Sequence, residues 1–125
     1  MEKPIEVIFL PLAEEFVGSI EPKARKKLFQ GIRKTKERLI GGWFSKMKGS
    51  DGIFEFRFDE NGKFYRLFAF WDNEGEIETL IAGTHGIVKK TNKTPKDEIR
   101  KAERIKREYF EEKNLEDKRS RNKGK

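Results

Sequence analysis

The chain has 125 residues, 29 Lys and Arg against 22 Asp and Glu, a net charge of +7, and 41% charged against 34% hydrophobic residues. That length holds one modest core, and 11 Phe, 2 Trp and 2 Tyr must supply much of it. The absence of cysteine excludes disulfides and thiolate metal sites, a single histidine excludes a multi-histidine centre, and no apolar run approaches the roughly 20 residues that cross a bilayer. No acidic cluster has metal-ligand spacing and no signal-peptide pattern opens the chain, so neither metal nor other cofactor is expected, and the cytoplasm is the expected location.

In chain order, Ile5–Leu10 is a short apolar run bounded by Pro4 and Pro11, which suits a strand. Pro11 fits the first turn of a helix over Leu12–Ile20, and Pro22 opens a second in the same way. There Ala24, Leu28, Ile32 and Leu39 keep helical spacing, and Gly41-Gly42 is the expected stop. From Ile53 the period becomes two: Phe54, Phe56 and Phe58 alternate with Glu55, Arg57 and Asp59. Asn61-Gly62 is a strong hairpin signal, and Phe64–Trp71 is apolar on both faces, as a central strand is.

A turn at Asp72–Gly75 leads to a strand at Ile77–Ala82, which Gly83 and Gly86 interrupt and Ile87–Val88 resume beyond a bulge. Thr94 is a good N-cap and Pro95 a good first residue for the last helix, whose apolar stripe is Ile99, Ala102, Ile105 and Tyr109. The sum is an α+β domain over 1–112, an antiparallel sheet with two N-terminal helices and a C-terminal helix packed on one face. Residues 113–125 are expected to be a basic, disordered tail.

The charge is uneven. Residues 85–125 hold 15 Lys and Arg against 8 Asp and Glu, so all the excess positive charge falls there, either as a solvated helix or as a footprint for RNA or an acidic partner. A two-residue loop at Asn61-Gly62 places Arg57 directly opposite Arg66, with Phe56 facing Leu67 and Phe58 facing Tyr65 on the other, core side. Opposed like charges destabilise a strand pair. A phosphate held between the two guanidiniums would explain them, and so would neutralisation by Glu55, which lies on the same face. Lys89, Lys90 and Lys93 come just before a helix N-terminus, where their charge adds to the helix dipole or merely solvates a connector. His85 titrates near neutrality and is the first acid/base candidate, although a lone histidine is more often structural.

Gly52-Ile53-Phe54-Glu55-Phe56-Arg57-Phe58, then Phe64-Tyr65-Arg66-Leu67-Phe68, then His85 to Pro95 with Ile99 and Ala102, together resemble the HigB branch of the RelE superfamily, which includes many phage-derived proteins. The resemblance covers about residues 50–110; the last motif is specific and the two strand motifs are individually weak. Phe56 and Ile87 depart from the family pattern, Gly83-Thr84 stands where two apolar residues are usual, and the 41–52 loop with Trp43 and Phe44 has no counterpart.

The resemblance implies a RelE-like, microbial-RNase-like fold. It also implies the toxin of a type II toxin–antitoxin system, a metal-independent endoribonuclease that cleaves mRNA at the 70S ribosome through 2′-OH attack and inhibits translation. Arg57 and Arg66 would take the scissile phosphate, Lys89 and Lys90 the transition state, and His85 a proton. Lys93, Lys46 and Lys48 would bind RNA, and Tyr65 would either stack on RNA or serve structurally. The implied partner is a HigA-like helix-turn-helix antitoxin. A non-catalytic basic module, binding RNA or protein, is the alternative.

Overall fold

The computed structural model describes residues 4–74, 80–91 and 93–123, without the side chains of 80 and 119–123. Its elements are β1 (Glu6–Phe9), α1 (Pro11–Ser19), α2 (Pro22–Lys36), β2 (Phe44–Lys46), β3 (Phe54–Glu60), β4 (Lys63–Asp72), β5 (Leu80–Lys89) and α3 (Lys96–Lys123). The described strands form one sheet in the order β1-β5-β4-β3-β2. Four strands pair antiparallel, as expected, and β1 joins β5 in parallel, so the sheet is mixed. The part of the expected strand at Ile77–Thr79 lies outside the described residues.

The helices do not share a face. β4 is apolar on both sides, and each side is covered by a different layer. Leu67 and Ala69 join Phe56, Phe58 and Tyr65 against Ala13 and Val17 of α1 and Ala24, Leu28 and Ile32 of α2. Phe68 and Phe70 instead pack with Ala82 against Ala102, Tyr109 and Phe110 of α3. A central strand with two buried faces requires cover on both, and only α3 remains for the second.

The two N-terminal helices begin at their prolines, as the sequence indicates. Arg25 of α2 satisfies the last carbonyls of α1, its Nε donating to Val17 at 2.9 Å and its Nη2 to Ile20 at 3.0 Å. α2 ends at Lys36, short of Gly41-Gly42. Arg38 takes φ +65°, and the N–H groups of Arg38 and Leu39 donate to the carbonyls of Thr35 and Lys34, the bonding pattern of a Schellman stop. Gly41 serves another end: the ring of Trp43 folds over it so closely that a Cβ would lie 1.9 Å from a ring carbon. Trp43 Nε1 donates to Thr35 Oγ1 at 3.2 Å, which locks the 41–43 segment onto α2 and delivers β2 to the sheet edge.

In β5, Leu67 pairs with Gly86 and Ala69 with Gly83, so Thr84 and His85 together oppose the single residue Phe68. This two-against-one bulge leaves the strand continuous through Lys89. Gly86 permits α1 to approach, because a Cβ there would sit 2.1 Å from the ring of Phe16. Gly86→Ala is therefore expected to destabilise the protein by about 1–3 kcal/mol through overpacking, read as a lower urea midpoint at unchanged slope.

α3 extends well past the expected limit at Glu112. Glu, Lys, Arg and Leu are good helix formers, and Lys113 reaches back to the sheet with its Nζ 2.8 Å from Asp72 Oδ2, so the segment assigned to a disordered tail is helical to Lys123. No helix among the described residues is long and apolar enough to cross a membrane.

Candidate functional site

The β3–β4 hairpin turns at Asn61 (φ +52°) and Gly62 (φ +74°), and both positive angles fit the two-residue turn that Asn-Gly favours. The register follows: Glu60 faces Lys63, Asp59 faces Phe64, Arg57 faces Arg66 and Glu55 faces Phe68. β5 continues these lines, with Lys89 beside Phe64 and Ile87 beside Arg66. On the α3 side of the sheet this gives three transverse rows. The first, nearest the turn, is Asp59, Phe64, Lys89. Next comes Arg57, Arg66, Ile87. The third is Glu55, Phe68 and, across the bulge, His85.

Two carboxylates and three cations interlock in these rows. Arg66, 0% exposed, donates from Nη1 to Asp59 Oδ1 at 2.9 Å and to its neighbour's carbonyl, Tyr65 O, at 2.8 Å. Buried Glu55 lies between the arginines, 3.7 Å from Arg57 Nε and 3.9 Å from Arg66 Nε. Lys89 Nζ donates to Thr94 Oγ1 at 2.9 Å, and that hydroxyl donates to Glu55 Oε2 at 3.3 Å. Burial, then the charges of Arg66 and Arg57, hold the Lys89 ammonium below the usual lysine range, against the pull of Glu55 and Asp59. The Arg57 side chain is 37% exposed and that of Asp59 57%, so the cluster opens to solvent on the β3 side.

The expected site residues thus separate into groups. Arg57, Arg66 and Lys89 come together around Glu55. Lys90 and Lys93 are exposed on the connector before α3. Lys48 is exposed and shares a surface hollow with Lys96 and Arg100 at the start of α3. Lys46 faces Phe54 across β2–β3, and so projects from the opposite side of the sheet. Tyr65 does not belong to an RNA-binding face: it is 3% exposed and stacked on Phe58 in the core under α1 and α2, because successive residues of a strand alternate sides. The aromatic side chain on the cationic face is its neighbour Phe64, half-buried, with the Arg66 guanidinium 5.6 Å from its ring centroid. The same register that opposes Arg57 to Arg66 puts Phe64 on this face.

His85 lies beneath α3 at 3% exposure. Its Nε2 is 2.8 Å from Glu98 Oε2, its Nδ1 is 3.1 Å from Thr84 Oγ1, and its ring stacks on Phe68. Burial lowers the His85 pKa, with Lys101 and Arg104 acting in the same sense and Glu98 opposing. One ring nitrogen is thus committed to β5 and the other to α3. Among the described residues no group of His, Asp and Glu side chains has the arrangement of a metal site.

A five-stranded sheet with two helices on one face and one on the other, its inner β3–β4 hairpin carrying the opposed arginines, has the RelE type of fold. The structure superposes on a chain of the toxin–antitoxin complex RelBE2 from Mycobacterium tuberculosis with a TM-score of 0.50 and 17% identity, covering 73% of this chain and 98% of that one. Residues 15–107 match the family described as phage derived protein Gp49-like (DUF891), and the chain belongs to that family. No curated protein sequence matches it.

Proposed function

We propose that the protein is the toxin of a toxin–antitoxin pair and acts as a metal-independent endoribonuclease on mRNA at the ribosome. One observation carries the reading: Arg57, Arg66 and Lys89 converge on one face of the sheet, with the opening beside the half-exposed Arg57. Membership of a phage-derived family and a fold shared with a chain of a toxin–antitoxin complex support it.

RNA cleaves itself when its 2′-OH is deprotonated and aligned on the adjacent phosphorus. An enzyme must then stabilise the added negative charge and protonate the departing 5′ oxygen. Arg57 and Arg66 supply fixed cations for the phosphate. Lys89, whose proton is held less tightly than that of an ordinary lysine, stabilises the transition state and suits donation to the leaving oxygen. Lys90, Lys93 and Lys48 bind flanking phosphates, and Phe64 offers a stacking surface for a base. Glu55 orients the arginines. His85, bonded at both nitrogens, positions β5 and α3 rather than exchanging protons with substrate. The partner is a helix-turn-helix antitoxin of the HigA kind, and the setting is the cytoplasm.

The burial of Arg66 and its bond to Asp59 favour a second reading, a basic module that holds RNA or protein through an internally neutralised ion network. Growth after controlled induction of the wild type and of Arg57→Ala, with mRNA ends mapped, separates the two. Arrest with new cuts, lost in the folded variant, supports the nuclease. Normal growth and intact mRNA at full wild-type expression support the module.

A further inference from the structure

The two carboxylates that neutralise the arginine cluster are not equivalent. Glu55 is buried, faces Phe68 in the third row, and is held by Thr94 as well as by the arginines. Asp59 stands at the solvent end of the first row, 57% exposed, and its Oδ1 sits 2.9 Å from Nη1 of the fully buried Arg66. Across Phe64 in the same row lies Lys89. An anion arriving from the open side therefore meets Arg66 where Asp59 already occupies it.

We propose that Asp59 is an internal competitor for the anion site, an exchangeable counter-ion that covers Arg66 in the resting protein and swings out when a phosphate group replaces it. This deepens, and for its role in catalysis rests on, the nuclease reading of the same site. The energetics suit an exchange. An ion pair with one solvent-exposed partner contributes little, so its rupture is easy. Arg66 keeps its bond to Tyr65 O and its approach to Glu55 during the exchange, while Asp59 supplies its second carboxylate when no substrate is present. Glu55 cannot play this part, because its displacement would strand a buried carboxylate. Phosphate, with several acceptor oxygens and access to Arg57 and Lys89 as well, outbids a single carboxylate at one nitrogen. The arrangement selects for strongly charged, multidentate anions and against chloride or an isolated surface carboxylate.

The test titrates inorganic pyrophosphate into the full chain at low salt, followed by NMR shifts of the Arg57, Arg66 and Lys89 backbone amides. Three proteins are compared: wild type, Asp59→Asn, and Glu108→Gln, which removes the same charge from a distant, exposed position on α3. Asp59→Asn is expected to bind pyrophosphate about 5- to 10-fold more tightly than wild type, by removing a weak ion pair and one repelling charge. Glu108→Gln is expected to change affinity less than twofold. Equal or weaker binding by a folded Asp59→Asn overturns the proposal and makes Asp59 a positioning residue that aims Arg66. Absence of binding by every variant overturns it too. Cleavage of mRNA in a translating extract by the same proteins reads the nuclease function separately. Tighter pyrophosphate binding with intact RNA would retain the competitor and remove the nuclease, whereas cleavage without tighter binding would do the reverse.

Discussion

Arg57→Ala is expected to lower cleavage of mRNA in a translating extract by roughly 10²–10³, the loss typical of removing one preorganised donor from a developing negative charge, while leaving the fold intact. The two halves of that expectation have separate causes. The Arg57 side chain is 37% exposed and its ion pair with Glu55 spans 3.7 Å, so truncation removes a weak contact at the rim of the site. Glu55 keeps Thr94 Oγ1 at 3.3 Å and Arg66 at 3.9 Å, and no carboxylate is stranded. Arg66→Ala is a poorer test for the opposite reason. Its guanidinium is wholly buried, and its removal leaves Glu55 short of its neutralising charge in the interior, so lost activity would be confounded with lost structure. Initial rates of that cleavage, with the 2′,3′-cyclic phosphate ends mapped and the melting temperature recorded for both proteins, check the expectation. A wild-type rate from folded Arg57→Ala would remove this residue from the reaction.

The parts of the site legible in the sequence are those fixed by short-range geometry. Asn61-Gly62 dictates a two-residue turn, the turn dictates the register, and the register places Arg57 against Arg66. Period-two alternation likewise separates the face of Phe56, Phe58 and Tyr65 from that of Glu55, Arg57 and Asp59. What local pattern could not supply was the choice among long-range partners. Lys89 comes beside Phe64 only because a bulge at Thr84 and His85 resets the pairing of β5, and no periodicity shows which strand lies opposite. The parallel entry of β1 beside β5, the placing of α3 opposite the other helices, and the capture of His85 by Glu98 are all tertiary outcomes of the same kind. The short β2 was missed because three residues give no detectable alternation. Its position depends on Trp43 folding over Gly41 onto α2. The helix extension past Glu112 was missed because a charged segment without an apolar stripe has the same composition whether solvated as helix or as coil.

Asp72→Ala is expected to cost about 3 kcal/mol, a large share of the 5–15 kcal/mol that holds a domain of ordinary stability. Asp72 is buried at the end of β4, where its Oδ2 accepts from Tyr109 Oη at 2.6 Å and from Lys113 Nζ at 2.8 Å, while Oδ1 accepts from the Glu74 N–H at 2.9 Å. Two of the three donors belong to α3, so this carboxylate is the far anchor of the helix whose near anchor is the His85–Glu98 bond. Burial by itself would raise the Asp72 carboxyl, but the bonds from Lys113, Tyr109 and Glu74 outweigh it and hold it below the usual carboxylate range. Its contribution is therefore present above the unfolded carboxyl value near about 3.9 and is lost as pH falls through the lower folded value. His85 acts at higher pH with the same sign. Its folded pKa is depressed, chiefly by burial, so below about 6.5 the unfolded chain takes up a proton that the folded protein does not, and stability falls by up to about 1.4 kcal/mol per pH unit until the folded value is reached. Acidification should thus weaken the seat of α3 in two steps, the first from the histidine and the second from the aspartate. Urea midpoints between pH 8 and pH 3 would show both in the wild type. His85→Gln should remove the upper step and Asp72→Ala the lower, each leaving the other in place. A flat midpoint from pH 8 to pH 5 in the wild type would mean that His85 takes its proton without cost, contrary to its burial under α3.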